Sequence, residues 1–225
     1  MPNRKHCDGA MSPGFAVEYK LAGGRAIGFR SLRCTVNQLS LGASRRNGAT
    51  INIWHDVDNA RIKPESFLVV VEISKGSKTK YELDKETGML LLDRILYTST
   101  HYPACYGFIP KTLAEDDDPL DVLLLCSEPI VPMALVKAYP IGVISMIDDG
   151  YTDDKIIAIP FDDPTYNGYR DIDSVPPHVV AEMQHFFAVY KQLENKTTAV
   201  DEPQGFLRAI AVVSEAIDRY RQMFG

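Results

Sequence analysis

Two short acidic stretches contain the residue types best suited to binding divalent cations. The first, EDDDPLDV at residues 115–122, places five carboxylates against the apolar run VLLLC, which begins at Val122. The second, DDGYTDDK at residues 148–155, lies between two apolar stretches. Two like unit charges about 4 Å apart repel by roughly 1 kcal/mol in water and about 4 kcal/mol at an effective dielectric constant of 20. Carboxylates gathered beside a core therefore need cations or shifted pKa values.

Donor groups for an anion accompany these acids. In KYELD the alternation of a strand places Lys80, Glu82 and Asp84 on one face, and a charged face of this kind indicates either a functional cavity or a solvated exterior. Lys, Arg and Tyr donors elsewhere suit an anion, whereas carboxylate oxygens suit hard divalent cations. Taken alone, each segment also fits a solvated surface, since Asp-Pro clusters form good turns.

Composition excludes several classes of protein. The chain has 225 residues, 45% of them hydrophobic, and a net charge of −6, which is typical of one large globular domain or two small ones. The longest apolar runs are strand-sized, so we expect no membrane-spanning segment. The four cysteines are scattered without a CxxC pair, which disfavours a structural zinc site and a disulfide scaffold.

The N-terminal region differs in charge from the rest of the chain. Residues 1–49 carry eight Lys or Arg against two acids, and they lack the apolar core of a secretory signal. We predict a disordered or targeting extension here, followed by a single domain over residues 50–225. We expect the protein to be cytoplasmic. The alternative is that this extension directs it to a chloroplast or mitochondrion. The acidic remainder argues against nucleic-acid binding.

Hydrophobic periodicity predicts mainly strands followed by two helices. Steps of three and four from Val179 to Leu193 and from Phe206 to Tyr220 each indicate one face of a helix. Frequent strands without intervening helices favour antiparallel pairing, and we expect a small β-barrel flanked by the two C-terminal helices. The predicted strands cover residues 67–74, 79–85, 89–96, 121–128, 136–146 and 155–161.

At DDDPLDV the sequence resembles family I soluble inorganic pyrophosphatases. The family signature has Asp, any residue, Asp, Pro, an apolar residue, Asp and an apolar residue. VVVEI, KYELDKETG, DRILYTSTHYPACYGFIP, GVISMIDDGYTDDKIIAIP and HFFAVYKQLE resemble further family segments in the same order. The resemblance extends from about residue 65 to 195 and is closest to plant-type, eukaryotic-like members.

The resemblance implies a five-stranded, OB-like closed β-barrel, mainly β with α, that hydrolyses inorganic diphosphate to two phosphates. Family members use several Mg²⁺ ions per active site, with Mn²⁺ or Zn²⁺ as possible substitutes, and a metal-activated water attacks the substrate directly. The implied partner is diphosphate, with no nucleic acid and no membrane, and a homo-oligomer is possible.

Site residues follow from the matching positions. Asp118 matches the residue that orients or deprotonates the water, and Tyr106 joins it as a catalytic group. The metal ligands match Asp116, Asp121, which bridges two ions, Asp153, Asp148 and Glu82. The phosphate-binding groups match Lys80, Arg94, Tyr106, Lys155, Tyr190 and Lys191. Supporting polar positions match Glu72, Asp93, Tyr102 and Asp149.

Three alternatives remain open at the level of sequence. A metal-dependent hydrolase of nucleotides or polyphosphate uses similar groups. A calcium-binding loop fits poorly, because Leu120 and Asp121 occupy the positions where an EF-hand loop needs an acid or Asn and then Gly. An OB barrel that binds nucleic acid needs a basic groove with stacking aromatic side chains, which the acidic segments disfavour.

Overall fold

A computed structural model describes residues 52–148, 151–194, 196 and 198–225 of this protein. The side chains of Asp148 and Tyr151 and the whole of Asp149 lie outside the described residues. The predicted extension over residues 1–49 also lies outside them and stays a prediction.

Five strands close into a ring, as predicted. The ring order is β1, β4, β5, β7 and β6, and β6 also pairs with β1 to complete the circuit. A closed ring leaves none of these five strands as a free edge. In chain order the strands are β1 (Phe67–Ile73), β2 (Thr79–Leu83), β3 (Leu90–Ile95), β4 (Cys105–Phe108), β5 (Asp121–Leu124), β6 (Leu135–Asp148), β7 (Tyr151–Pro160), β8 (Ala199–Val200) and β9 (Gln204–Gly205).

The remaining strands lie outside the ring. Strands β2 and β3 form a separate antiparallel hairpin, although residues 79–85 and 89–96 are predicted simply as further strands of a barrel. The short strands β8 and β9 both pair with β6. The described residues also contain three 3₁₀ turns, at Asn59–Arg61, Ile172–Ser174 and Gln192–Glu194.

Two features of the ring differ from the sequence prediction. Strand β4 is not among the predicted strands, because its four residues lie between Pro103 and Pro110 and contain Gly107, and both residue types count against a strand. Strands β5 and β7 pair in parallel rather than antiparallel. Apolar patterning specifies which faces are buried, but it does not specify which strands become neighbours.

The two predicted helices are present. Helix α1 (Pro177–Val189) begins with Pro in its first turn, where the missing N–H costs nothing, and it ends before the predicted Leu193, which lies in the 3₁₀ turn instead. Helix α2 (Phe206–Phe224) buries one face at the predicted spacing. In the part of the chain that the structure describes, no helix is both long and apolar enough to span a bilayer.

The ring strands are buried on both faces, which is why their sequences are almost continuously apolar. In β5, Val122 and Leu124 belong to a cluster that includes Val212 and Val213 of α2. Leu123, on the opposite face, belongs to a cluster with the aromatic residues of α1. Asp121 at the start of this strand is therefore fixed by packing on both sides.

Gly107 in β4 is required by the close approach of β1. A Cβ atom at this position would collide with the carbonyl oxygen of Val70 and lie 2.9 Å from its carbonyl carbon, and neither backbone atom can move freely within the ladder. We expect Gly107→Ala to lower the free energy of unfolding by about 3 kcal/mol or more, measured by urea denaturation. Gly168→Ala is the control, because its Cβ atom meets nothing within 4 Å. Equal stability of the two variants would contradict this packing.

Asp163 is a buried carboxylate that organises the segment after β7. Its Oδ1 accepts hydrogen bonds from the backbone N–H groups of Thr165 and Tyr166 at 2.8 and 3.2 Å, and its Oδ2 accepts one from Ser127 at 2.6 Å. Burial acts to raise the pKa of Asp163, but the N–H donors outweigh it and leave this pKa lowered. The stability from Asp163 is therefore complete above the pKa of an unfolded Asp and is lost as the pH falls through the lower folded-state value.

Replacing Asp163 with Ala tests this role. We expect the free energy of unfolding to fall by about 1–3 kcal/mol at pH 7, because buried N–H groups lose their acceptor. The difference from the wild type should narrow in acid, as the wild-type carboxylate becomes protonated. Urea denaturation at pH 7 and at pH 3–4 measures both effects. The adjacent, exposed Asp162→Ala is the control, and a pH-independent loss at Asp163 would contradict the assignment.

Candidate active site

A cavity of about 600 Å³ opens between the hairpin, one end of the ring and the end of α1. Its lining contains twelve of the predicted site residues, which come from segments far apart in sequence. These residues are Glu72, Lys80, Glu82, Tyr102, Tyr106, Asp116, Asp118, Asp121, Asp153, Lys155, Tyr190 and Lys191.

Strand register positions the three charged groups at the floor of the cavity. Asp121 in β5 is the direct parallel partner of Lys155 in β7. Asp153 lies two residues before Lys155 and therefore on the same face of β7. The Lys155 Nζ donates to Asp121 Oδ2 at 2.8 Å and to the two oxygens of Asp153 at 2.8 and 2.9 Å. One cationic group thus holds both carboxylates.

Lys155 is protonated in this environment even though its side chain is only 3% exposed. Burial acts to lower the pKa of Lys155, but the charges of Asp121 and Asp153 outweigh it and raise the pKa well above its ordinary value. Burial raises the pKa of Asp121, and the Lys155 ammonium opposes that shift. The Lys155 ammonium therefore favours the ionised form of Asp121.

Two tyrosines form the aromatic wall behind this cluster. The Tyr106 hydroxyl donates to Asp121 Oδ2 and accepts from Lys155 Nζ at 3.1 Å. Tyr102 is 2% exposed and packs against Tyr106 with ring centroids 5.5 Å apart, and against Phe186 of α1 at 4.7 Å. Burial raises the pKa of both tyrosines well above the ordinary value, so both hydroxyls remain neutral hydrogen-bond donors.

The acidic loop before β5 forms one rim of the cavity. Asp117 has φ of +65°, a left-handed conformation that Asp tolerates better than most residues, and it turns the chain so that Asp116 and Asp118 both line the cavity. Asp116 Oδ1 accepts a hydrogen bond from the backbone N–H of Asp118 at 3.1 Å. Asp118 itself forms an ion pair with Lys85, and its side chain is 54% exposed. Asp118 therefore presents a solvent-exposed carboxylate at the rim of the cavity.

The hairpin contributes a second group of charges. Lys80 forms ion pairs with Glu82 and with Asp93, the latter at 2.9 Å. Burial alone lowers the pKa of Lys80, but its bonds to Glu82 and Asp93 leave it raised. Arg94, the register partner of Lys80, contacts Asp93 at 2.6 Å and Glu194 after α1 at 3.1 Å. Asp93 and Arg94 do not line the cavity; they connect the hairpin to the segment that carries Tyr190 and Lys191.

Glu72 in β1 differs from the other acids. It is 6% exposed, and its Oε1 accepts a hydrogen bond from the backbone N–H of Leu83 at 2.7 Å. Burial, aided by the charge of Asp121, raises the pKa of Glu72 to about 8. Glu72 is therefore mostly protonated at neutral pH, and it can donate a hydrogen bond into the site.

Sequence reasoning missed two charged residues of the cavity wall, Lys85 and Glu86. Both lie at the turn of the hairpin with Asp84, which belongs to the predicted charged face of KYELD, and all three residues line the cavity. Lys85 is offset by one residue from the predicted charged face of KYELD, so strand alternation gives no signal for it. The strand ends before this residue, and the turn directs Lys85 to Asp118. Asp148 and Asp149 lie outside the side chains that the structure describes, and their predicted roles stay predictions.

The cavity carries more acidic than basic groups. Eight carboxyl and four ammonium groups line it in the described part of the chain, and even with Glu72 protonated the acids predominate. They are Glu72, Glu82, Asp84, Glu86, Asp116, Asp118, Asp121 and Asp153, against Lys80, Lys85, Lys155 and Lys191.

Cations fit this donor set. Among the described residues, no three acidic, imidazole or thiol side chains converge at metal-ligand distances. Lys155 and Lys85 neutralise three of the acids instead. The oxygen-only carboxylates are nevertheless of the type that Mg²⁺ prefers, and Asp121 and Asp153 already share one cation.

Comparison with known proteins agrees with this arrangement. The sequence profile of a family described as inorganic pyrophosphatase matches residues 69–221. The chain belongs to the inorganic pyrophosphatase family. The predictions of this family and of an enzyme, a hydrolase, are thereby confirmed. Soluble inorganic pyrophosphatase 2 of Chlamydomonas reinhardtii is 49% identical over 177 residues, which cover 79% of this chain and 92% of the relative. Soluble inorganic pyrophosphatase PPA1 of Solanum tuberosum is 48% identical over 187 residues, covering 83% and 89%.

Solved structures of pyrophosphatases share the fold. The inorganic pyrophosphatase of Helicobacter pylori has a TM-score of 0.71 and 43% identity, covering 74% of this chain and 99% of that protein. The inorganic pyrophosphatase of Thermus thermophilus has a TM-score of 0.71 and 38% identity, covering 76% and 99%. The prediction of a mainly β fold with a five-stranded barrel and two helices is confirmed.

The family match, over residues 69–221, includes every strand and loop that lines the cavity except the beginning of β1. Trp54 lies before the matched region, yet its ring contacts Lys85 in the cavity wall. The Lys85 Nζ lies 5.3 Å from the centre of the Trp54 ring, and the side-chain amide of Asn52 donates to the Lys85 carbonyl at 3.0 Å. The described residues before β1 therefore contribute to positioning the hairpin turn.

Proposed function

We propose that this protein hydrolyses inorganic diphosphate to two phosphates by direct attack of water, with Mg²⁺ as the required ion. The excess of carboxylates over lysines in one cavity is the observation that carries this proposal. Such a surface repels a polyanion unless cations bind first, whereas the lysines and tyrosines among the acids supply anion donors. Family membership supports the same reaction.

We assign Asp116, Asp121 and Asp153 as the principal ligands of the cations, with Asp148 and Glu82 as further ligands. In this assignment Asp121 would be the ligand that two ions share. Asp is suited to the task because its short, hard oxygen donors match the octahedral preference of Mg²⁺. When bound, Mg²⁺ neutralises phosphate charge and lowers the pKa of a water molecule.

Side chains of the protein carry out the proton transfer and donate hydrogen bonds to the phosphates. Asp118 orients the attacking water and accepts its proton, since it is exposed at the rim of the cavity. A bond forms between the water oxygen and one phosphorus atom, and the bond from that phosphorus to the bridging oxygen breaks. Tyr106 and Lys155 donate hydrogen bonds to phosphate oxygens from the floor.

Four further side chains, three of them cationic, complete the proposed phosphate-binding groups. We assign four residues to phosphate binding, Lys80 and Arg94 on the hairpin and Tyr190 and Lys191 after α1. An Arg guanidinium can form two parallel bonds to one phosphate. Asp93 orients Lys80 and Arg94 through its two ion pairs, while Glu72, Tyr102 and Asp149 support the site.

Phosphate release from diphosphate, ATP and tripolyphosphate tests the proposal. We expect rapid release from diphosphate with Mg²⁺, at least about 100-fold slower release from the other two substrates, and no release in EDTA. Faster hydrolysis of ATP or tripolyphosphate would instead favour a nucleotide or polyphosphate hydrolase. Repeating the assay with Mn²⁺ and Zn²⁺ tests whether these ions substitute for Mg²⁺.

The partners and the compartment follow from the same proposal. The substrate is a small anion, and the acidic cavity disfavours nucleic acid as a partner. We retain the cytoplasm as the expected location, with a chloroplast or mitochondrion as the alternative. We retain a homo-oligomer as part of the proposal, and sedimentation measurements test it.

A further inference from the structure

Cys105 and Cys126 form a dithiol pair beside the active site. Cys105 begins β4, and its register partner in β5 is Leu124. Cys126 follows Leu124 by two residues and therefore lies on the same side of the chain. The two sulfur atoms are 3.5 Å apart, both thiols are free, and the residues are 0% and 4% exposed.

The surroundings of the Cys105 sulfur are unusually polar for a buried thiol. Its Sγ accepts hydrogen bonds from the backbone N–H groups of Lys75 at 3.3 Å and Ile130 at 3.4 Å, and from the Cys126 thiol. These donors favour a thiolate at Cys105. The Cys126 thiol and the two N–H groups outweigh burial and lower the pKa of Cys105 to about 6, whereas the pKa of Cys126 is raised.

The pair lies directly beneath the surface loop at residues 127–133. Ile130 of this loop contacts the Cys105 sulfur through its N–H group, and its carbonyl accepts a hydrogen bond from the Ser74 hydroxyl at 2.6 Å. Val131 beside it is 70% exposed. Opening of this loop at Ile130 would break the two hydrogen bonds of that residue and give a small molecule access to the sulfur atoms.

We propose that Cys105 and Cys126 are a redox-active pair that a hydroperoxide oxidises to an intramolecular disulfide, and that the disulfide form hydrolyses diphosphate more slowly. The proposed function does not require this modification. The predicted loss of activity rests on the proposed function, whereas the predicted formation of the disulfide does not.

The hydroperoxide is the two-electron oxidant in this reaction. The Cys105 thiolate attacks one peroxide oxygen, so an S–O bond forms, the O–O bond breaks and the leaving oxygen takes a proton. The Cys126 sulfur then attacks the Cys105 sulfur, so the S–S bond forms and the S–O bond breaks. The departing hydroxide takes the Cys126 proton and leaves as water. The two thiols lose two electrons in total, and a dithiol reductant reverses the change.

Disulfide formation displaces the strands that carry the site. The sulfur atoms must approach by about 1.5 Å to reach the bonding distance of about 2.05 Å. Cys105 is adjacent to Tyr106, and the strand before Cys126 begins at Asp121, so the shift acts on the hydrogen bond that joins these two side chains. A displacement of about 1 Å in such a site is sufficient to lower turnover substantially.

Peptide mapping of the full-length protein after hydrogen peroxide treatment tests the covalent step. Trypsin cleaves after Arg94, Lys111 and Lys137, which separates the two cysteines into peptides 95–111 and 112–137. We expect these peptides to be joined under non-reducing conditions and to separate with dithiothreitol. Recovery of both peptides unlinked after peroxide treatment would overturn the proposal.

The rate of diphosphate hydrolysis, measured in parallel, tests the functional consequence. We expect kcat to fall roughly tenfold on oxidation and to recover with dithiothreitol. Cys126→Ser is the matched variant, because it retains Cys7, Cys34 and Cys105 and should keep its activity in peroxide. An equal loss in Cys126→Ser, or a linked wild type with unchanged kcat, would overturn the proposed coupling. If the reduced wild type has no activity, the proposed function fails and the mapping still decides whether the pair is redox-active.

Discussion

Replacing Asp118 with Asn should lower kcat for diphosphate by about 100-fold or more, because the amide cannot accept a proton from water at neutral pH. The fold should be preserved, since Asp118 is largely exposed and its ion pair with Lys85 contributes little to stability. The Mg²⁺ concentration required for half-maximal activity should change little, because Asp118 is assigned to water rather than to metal. Steady-state kinetics over a range of Mg²⁺ concentrations measures both quantities.

The adjacent residue provides the control for this substitution. Asp117→Asn changes the same charge in the same loop, and Asn readily adopts the left-handed conformation found at Asp117. We expect this variant to keep kcat within about twofold of the wild type. Near-normal turnover in Asp118→Asn, or an equal loss in both variants, would refute the specific role of Asp118.

Replacing Lys155 with Met should destabilise the cation-free protein strongly. The substitution leaves Asp121 and Asp153 facing one another without the ammonium that contacts both. Breaking a buried ion pair by removing one partner costs about 3–5 kcal/mol. We expect this loss in the free energy of unfolding in EDTA and a much smaller loss in saturating Mg²⁺, because bound cations then neutralise the same carboxylates.

Urea denaturation under the two conditions makes this comparison. Lys137→Met is a suitable control, since Lys137 is exposed and lies 5.0 Å over the Phe161 ring, remote from the cavity acids. We expect it to lose about 1 kcal/mol or less with or without Mg²⁺. A Lys155→Met variant whose stability does not respond to Mg²⁺ would contradict cation binding at Asp121 and Asp153.

The acids of the first loop illustrate what the sequence predicts well. A motif such as DDDPLDV constrains a short segment whose local geometry brings its own side chains together, and the apolar run after Asp121 indicates the strand that fixes it. Here Asp116, Asp118 and Asp121 all line one cavity. The helix spacing in α2 is equally local, because each buried position recurs after three or four residues.

Contacts between distant segments are less accessible to sequence reasoning. The salt bridge between Asp121 and Lys155 depends on the parallel pairing of β5 and β7, whereas the succession of strands without intervening helices predicted antiparallel neighbours. Strand β4, which carries Tyr106, was not predicted because prolines flank it on both sides. Arg94 was predicted to bind phosphate, but its contact with Glu194, 100 residues away, depends on how the hairpin lies against the end of α1.

Turns account for the other omission. The alternation of KYELD correctly grouped Lys80 with Glu82, but it placed Lys85 on the opposite face. The strand ends at Leu83, and the direction of a side chain in the following turn depends on backbone angles that composition does not specify. Family resemblance compensates for such gaps only at positions that match a known motif.

The Mg²⁺ dependence of diphosphate hydrolysis in Asp121→Asn is the most direct test of a cation site built on β5 and β7. We expect the Mg²⁺ concentration for half-maximal activity to rise by about tenfold or more, because a neutral amide replaces the carboxylate that we assign as a shared ligand. Glu115→Gln is the control, because Glu115 is an exposed acid just before β5 that does not line the cavity. This substitution should leave the Mg²⁺ concentration for half-maximal activity unchanged. An identical Mg²⁺ titration for Asp121→Asn and the wild type would contradict the site.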